Sequence, residues 1–200
     1  MKNPVINIGR QFGSGGKAVA MEIGKRLGID VYDSELITKA AEKSGFSSEL
    51  FSQNDERRKL FGFPLLSNGF QLSDNCIDGG ALFRIQSKVI EEIAEAGPAV
   101  IIGRCSDYIL RDRENTLDVF ITAPKSYRIR RVCKRMDITP EKAADIINRQ
   151  DRKRETYYNY FTFGNWGVAS NYDLCIDSSI LGIEETAGMI IDFARRAGIL

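Results

Sequence analysis

The chain has 200 residues, 43% of them hydrophobic and 28% charged, enough for one full core and in the range of a single domain spanning 1–200. Its 28 Lys and Arg against 27 Asp and Glu give a net charge of +1, so no bulk field draws it to nucleic acid or to an anionic membrane. The complete lack of histidine excludes Ser-His-Asp and Cys-His hydrolases, HExxH metalloproteases and two-His-one-carboxylate oxygenases together. Chemistry has to run on Lys, Arg, Asp, Glu, hydroxyls and backbone amides.

From the N-terminus, Val5 to Ile8 is the first apolar run, too short for a signal h-region or a membrane span. The expected location is cytoplasmic. Cys76, Cys105, Cys133 and Cys175 are far apart with no CxxC pair, and are expected to be reduced, mostly buried thiols. Short β-rich runs alternate with longer helical patterns, the signature of a parallel α/β architecture. Strands are predicted near Val5–Gly9, Ile29–Asp33, Ala99–Gly103, Leu117–Thr122 and Asp173–Asp177.

Between them, helix starts carry Ser34 before Glu35, Pro124 as a first-turn proline, and Thr139-Pro140-Glu141 as cap, N1 proline and first-turn acid. The predicted helix Gly80–Ala96 places Ala81, Ile85, Val89, Ile93 and Ala96 on an apolar stripe and is closed by Gly97-Pro98. A last helix runs from about Ile183 to Gly198. The stretch Gly62–Gly80 has no sustained period and is read as loop, part of a substrate-covering insert over about 34–80.

The first strand leads into Gly9-Arg10-Gln11-Phe12-Gly13-Ser14-Gly15-Gly16-Lys17 and then into an amphipathic helix, Ala18–Leu27. A glycine loop between strand and helix can wrap N–H groups around phosphates and aim a helix N-terminus at them, with Lys17 as a cation at the rim. Strict GxxxxGK[ST] is absent, because Gln11 stands at the first glycine and Ala18 replaces the hydroxyl. Four glycines in eight residues exceed what tight helix–strand packing needs. A dinucleotide loop is the competing reading, but none of the seven tyrosines has lysine four residues on, as a short-chain dehydrogenase would require.

Further motifs follow: Leu27-Gly28-Ile29-Asp30-Val31-Tyr32-Asp33, Val100-Ile101-Ile102-Gly103-Arg104-Cys105-Ser106-Asp107-Tyr108, Arg149-Gln150-Asp151-Arg152-Lys153-Arg154 and Asp173-Leu174-Cys175-Ile176-Asp177-Ser178. In this order, together with the glycine loop, they resemble the cytidylate kinase-like family, a divergent branch of the nucleoside monophosphate kinases, over most of the chain. The resemblance implies a three-layer P-loop kinase fold with a five-stranded parallel sheet, a helical acceptor-binding insert and an arginine-rich lid at about 137–170. It implies transfer of the γ-phosphoryl group of ATP, with Mg²⁺, to a small phosphorylated acceptor such as CMP. The alternatives are another small-molecule acceptor, or a nucleotide-binding regulatory module that does not catalyse.

Under the resemblance, Gly13, Ser14, Gly15, Gly16 and Lys17 bind the ATP phosphates, with Ser14 and Asp33 as candidate Mg²⁺ ligands. Lys17, Asp33, Arg104 and Arg152 form the catalytic set. Asp33, Arg104, Arg149 and Asp151 line the acceptor, and Arg149, Arg152, Lys153 and Arg154 make the lid. The residues carry their own readings. Asp33 ends a strand at the edge where ligands of open α/β sheets bind, although a helix-capping carboxylate is an equal reading. Arg104 leaves a buried strand at that edge, where a bidentate guanidinium suits a phosphate. Arg128, Arg130, Arg131, Lys134 and Arg135 form a second basic stretch, read mostly as solvated. Relative to the family pattern, Ile102 and Cys105 stand where acids flank the Gly-Arg pair, and Gly16 falls on the lysine position.

Overall fold

The computed structural model describes residues 2–43 and 79–200, so positions 62–78 of the expected loop, most of the insert and Cys76 lie outside the described residues, while Gly79 and Gly80, expected in the loop, open a helix. Five strands, β1 (Val5–Arg10), β2 (Asp30–Tyr32), β3 (Ala99–Ile102), β4 (Thr116–Thr122) and β5 (Leu174–Asp177), form one parallel sheet in the order β2-β3-β1-β4-β5. Every strand found was expected from the sequence, each within two residues at either end.

Alternation along the strands sorts the core into two faces. Ile6, Ile8, Val100, Ile102, Leu117, Val119 and Ile121 pack with α1 (Gly16–Leu27) and the last helix, α7 (Ser178–Arg196), through Val19, Ile23, Ala187 and Ile190. Val5, Ala99 and Ile101 face the other way, against α2 (Ser34–Lys43) and α3 (Gly79–Ala96) through Ile37, Ile85, Val89 and Ile90. The short α4 (Ser106–Ile109) follows β3, and α5 (Lys125–Met136) and the 23-residue α6 (Pro140–Thr162) pack together through Val132, Ala143 and Ile147.

Several local expectations are corrected. In α3 the buried stripe passes through Ile90 and Ala94 while Ala96 is exposed. Ala96 falls on the same side of the helix as Ile85 and Val89 but lies in its last turn, while burial drifts around the helix in four-residue steps through Gln86, Ile90 and Ala94. Ser34 does not cap α2: Asp33 does, its Oδ1 accepting the amides of Glu35 and Leu36 at 3.0 Å. Pro124 sits at the N-cap of α5, one residue before the first turn, whereas Thr139 caps α6 as expected, accepting from the Lys142 amide. The last helix starts earlier, at Ser178, but is kinked at Gly182, beyond which its regular part runs. Cys105 is buried, whereas Cys175 is exposed because β5 is an edge strand.

On the second face of the sheet β1 carries Asn7, which is buried and donates its amide to Asp118 at 2.8 Å. Burial pushes the Asp118 carboxyl up to about 6; the Asn7 amide opposes that rise, and the charges of Asp107 and Asp173 add to it. Between the unfolded value near 4 and this raised one, the native state alone holds the proton, so stability falls as pH rises through that window, by about 3 kcal/mol at most. Asp118→Asn retains an acceptor for Asn7 and removes the titration. Chemical denaturation at pH 4.5 and pH 7.5 should show the loss of stability between the two reduced by about 2 kcal/mol in the variant.

Candidate phosphate-binding site

Parallel pairing fixes where the loops meet. With β1 and β3 in register from Val5 opposite Ala99 to Ile8 opposite Ile102, and the Gly103 amide donating to Ile8 O, the glycine loop and Arg104 leave the sheet side by side at its carboxyl edge. Asp33, one residue beyond β2, joins them there.

The loop is braced from outside. Gln11 N–H donates to Ile121 O, and the Gln11 side-chain oxygen accepts from the Thr122 hydroxyl and the Ala123 amide. Phe12 N–H donates to Asp151 at 2.7 Å, while Arg154 donates to Arg10 O at 2.8 Å. Arg128, only 7% exposed, donates to Ala123 O, to Phe12 O and to the Asp151 carboxylate. The second basic stretch is therefore not simply solvated. Its first arginine is a buried strut, identifiable from sequence only by its position four residues after a proline that starts a helix beside the loop.

Inside this brace Gly13 and Gly15 adopt φ of 83° and 91°, conformations that a side chain would strain. The amides of Gly13, Gly15, Gly16 and Lys17 make no hydrogen bond to a described acceptor. Those at the start of α1 are the orphan donors of a helix N-terminus, so the concave run carries partial positive charge. Arg131 adds a guanidinium within 3.3 Å of where a Gly15 side chain would begin. Ser14 is fully buried and donates its hydroxyl to Gln11 O, and its carbonyl accepts from Ser178. Its hydroxyl proton is committed within the loop, and the side chain is closed off from solvent.

Lys17 Nζ lies 2.5 Å from Asp33 Oδ2, with the lysine side chain 66% exposed and the carboxylate 17%. Burial pushes the Asp33 carboxyl up, but hydrogen bonds from Lys17 and the Leu36 and Glu35 amides, with the lysine charge, outweigh it and hold the group below the ordinary carboxylate range. Both Asp33 oxygens are thus engaged, one as a cap and one as an ion pair. Among the described residues no cluster of three or more acidic or cysteine side chains is arranged to hold a metal ion.

Arg104 donates to Thr38 Oγ1 at 3.1 Å and lies over the Tyr157 ring, 5.2 Å from its centroid. Gln86 ties this wall together, donating to Thr38 and accepting from the Tyr157 hydroxyl. Burial, partly offset by Arg104, pushes the Tyr157 phenol up to about 12, so it stays a neutral donor. The aromatics from Tyr157 to Phe161 that follow the basic cluster continue α6. Phe161 stacks on Phe83 of α3 at 4.2 Å and Tyr157 tilts against Phe161 at 4.8 Å.

Of the four basic residues at 149–154, only Arg154 turns to the loop. Burial, with the charges of Arg135 and Arg128 and against that of Asp151, brings its pKa down to about 10. Arg149, Arg152 and Lys153 are exposed along α6 and make no hydrogen bond or ion pair with the glycine loop. Asp151 is placed as a brace between Phe12 and Arg128.

The five-stranded parallel sheet with helices on both faces and a glycine loop after β1 is the P-loop kinase fold. The chain belongs to the cytidylate kinase-like family, whose model matches residues 5–180. It is 25% identical to the cytidylate kinase of Aeropyrum pernix over 189 residues, 94% of this chain and 96% of that one. It is 26% identical to the cytidylate kinase of Pyrobaculum calidifontis over 190 residues, 94% and 91% of the two chains. A crystal structure of an uncharacterized protein from Eubacterium ventriosum superposes with a TM-score of 0.75 at 25% identity, covering 96% of this chain and 99% of that one. The shikimate kinase of Bacteroides thetaiotaomicron shares the fold, with a TM-score of 0.52 at 13% identity over 96% and 98% of the chains.

The Arg128–Asp151 brace yields a direct test. Arg128→Met leaves the Asp151 charge unpaired beside the Phe12 amide and should lower unfolding free energy by about 3 kcal/mol in urea titrations. The double variant with Asp151→Asn should recover part of that loss.

Proposed function

We propose that the protein transfers the γ-phosphoryl group of MgATP to a nucleoside monophosphate, with CMP the first candidate. The observation that carries this reading is the meeting, at one end of the sheet, of the unpaired amides of Gly13, Gly15, Gly16 and Lys17 with the guanidinium groups of Arg104 and Arg154. Family membership and the cytidylate kinase relatives support it.

In this reading the donor phosphates lie along the amides of Gly13, Gly15, Gly16 and Lys17, and Lys17 exchanges Asp33 for phosphate oxygens. Arg104, held by Thr38 and Tyr157, grips the acceptor phosphate through its planar fork. Arg154 adds positive potential behind the loop, and the exposed Arg149, Arg152 and Lys153 extend it along α6. Such fixed charges do most of the work in phosphoryl transfer, whose transition state spreads negative charge over equatorial oxygens. Mg²⁺ would be brought by ATP and would supply charge neutralisation at the transferring phosphates. Ser14 does not fit as its ligand.

The acceptor class follows from Asp33. A phosphate monoester is already largely ionised at neutral pH, with a second pKa near 6, so it needs no strong base. A carboxylate held below its ordinary range is a poor base, which suits Asp33 for positioning and favours a phosphate over a hydroxyl acceptor.

An ADP-release assay with MgATP and CMP, dCMP, UMP or AMP tests the reading. Turnover is expected with at least one pyrimidine monophosphate, and Arg104→Ala should raise the acceptor KM by about tenfold or more, one lost charge-assisted contact. ATP binding in calorimetry with no turnover on any acceptor would replace the kinase by a nucleotide-binding regulatory module.

A further inference from the structure

Arg10, the last residue of β1, is the cation that the sequence motifs leave without a role. Its side chain does not point to solvent along the strand. Cβ and Cγ lie 2.6 and 3.0 Å from where a Gly16 side chain would begin, and one terminal nitrogen lies 2.0 Å from the corresponding point at Gly103, φ 73°. The chain therefore crosses from the glycine loop to the residue before Arg104, through space that exists only because both positions lack a Cβ. Half-buried there, it makes no ion pair and no side-chain hydrogen bond with any described residue.

Its electrical neighbours are of the wrong sign for a structural arginine. Burial, with the charges of Arg154 and Arg104 and against that of Asp33 alone, brings its pKa down to about 9. Asp33 is itself paired with Lys17. Arg104 Nε is buried and has no hydrogen-bond partner among the described residues. Gathering like charges in a partly dry site is unfavourable unless a counter-charge arrives, so this group of cations is organised for an anion that completes it.

We propose that Arg10 and Arg104 together form a seat for a phosphate dianion at the seam between the glycine cradle and the acceptor wall, with Arg10 touching the phosphoryl group in transit. The inference rests on the kinase reading for its role in turnover, but not for the seat itself. The reach of Arg10 from Gly16 to Gly103 places its fork between donor and acceptor. It is there a substitute for the cation that a lysine seated deeper in the loop would supply.

The seat is tested with inorganic phosphate as probe, following thermal unfolding at constant ionic strength made up with chloride. Phosphate should stabilise the wild type, and Arg10→Met and Arg104→Met should each weaken its apparent affinity by about tenfold. Arg196→Met, which removes an exposed pair with Asp192 on α7, should leave it unchanged. No phosphate stabilisation of the wild type, or equal affinity in Arg10→Met, overturns the seat. If Arg10→Met does not fold, Arg10→Lys keeps the packing against Gly16 and a charge but not the fork; wild-type phosphate affinity in that variant overturns the requirement for a guanidinium. In turnover, Arg10→Met should lower kcat while leaving the KM for ATP nearly unchanged. Turnover with unaltered kcat sinks the role of Arg10 and leaves the kinase reading intact, whereas phosphate binding lost in Arg10→Met without any wild-type turnover sinks the kinase reading and leaves the seat.

Discussion

Like-charge repulsion at the carboxyl edge of the sheet is the constraint around which this molecule is organised. Arg10, Arg104, Arg154 and Lys17 converge there, with Asp33 opposing Arg10 and Lys17 and Asp151 opposing Arg154, and burial together with the charges of Arg154 and Arg104 depresses the pKa of Arg10 to about 9. A fold tolerates that only if other contacts hold the groups in place. Here a sheet with continuous apolar strands, covered on both faces, fixes the ends of β1 and β3 together. The strut of Arg128 and Asp151 then holds the loop from behind.

The division of labour among the arginines follows from their surroundings. Arg128 has a carboxylate and two carbonyls to satisfy it and is structural. Arg113 is likewise spent on the carbonyls of Asn3, Ala94 and Glu114, fastening the sheet's far end. Among the described residues Arg10 and Arg104 have no carboxylate partner, and that deficit is what sets them apart from the structural arginines.

The strands and most helix ends were legible because their signals are local: apolar runs, glycine stops, and the Thr139-Pro140-Glu141 start that caps α6. The glycine loop and Arg104 were legible because a strand places its last residues at a known edge. What local pattern could not supply is which face of a helix meets which loop. Arg128 and Arg130 look alike in the sequence, yet one is buried against Phe12 and the other lies by the Tyr127 ring. Arg10 was hidden for a related reason. Its path depends on missing side chains at Gly16 and Gly103, two positions 87 residues apart in sequence, and only the parallel register brings them together. Asp33 carried two readings, and it is both cap and ion-pair partner.

Helix α6 is fastened to the glycine loop at two points one turn apart, Asp151 on the Phe12 amide and Arg154 on the Arg10 carbonyl. A lever pinned twice to the same short segment cannot pivot about either pin alone. Any swing of α6 would carry the loop with it or tear both attachments at once. The wall formed by Thr38 of α2, Gln86 of α3 and Tyr157 of α6 is joined by side chains alone, whereas α6 grips the glycine loop through the loop's own main chain.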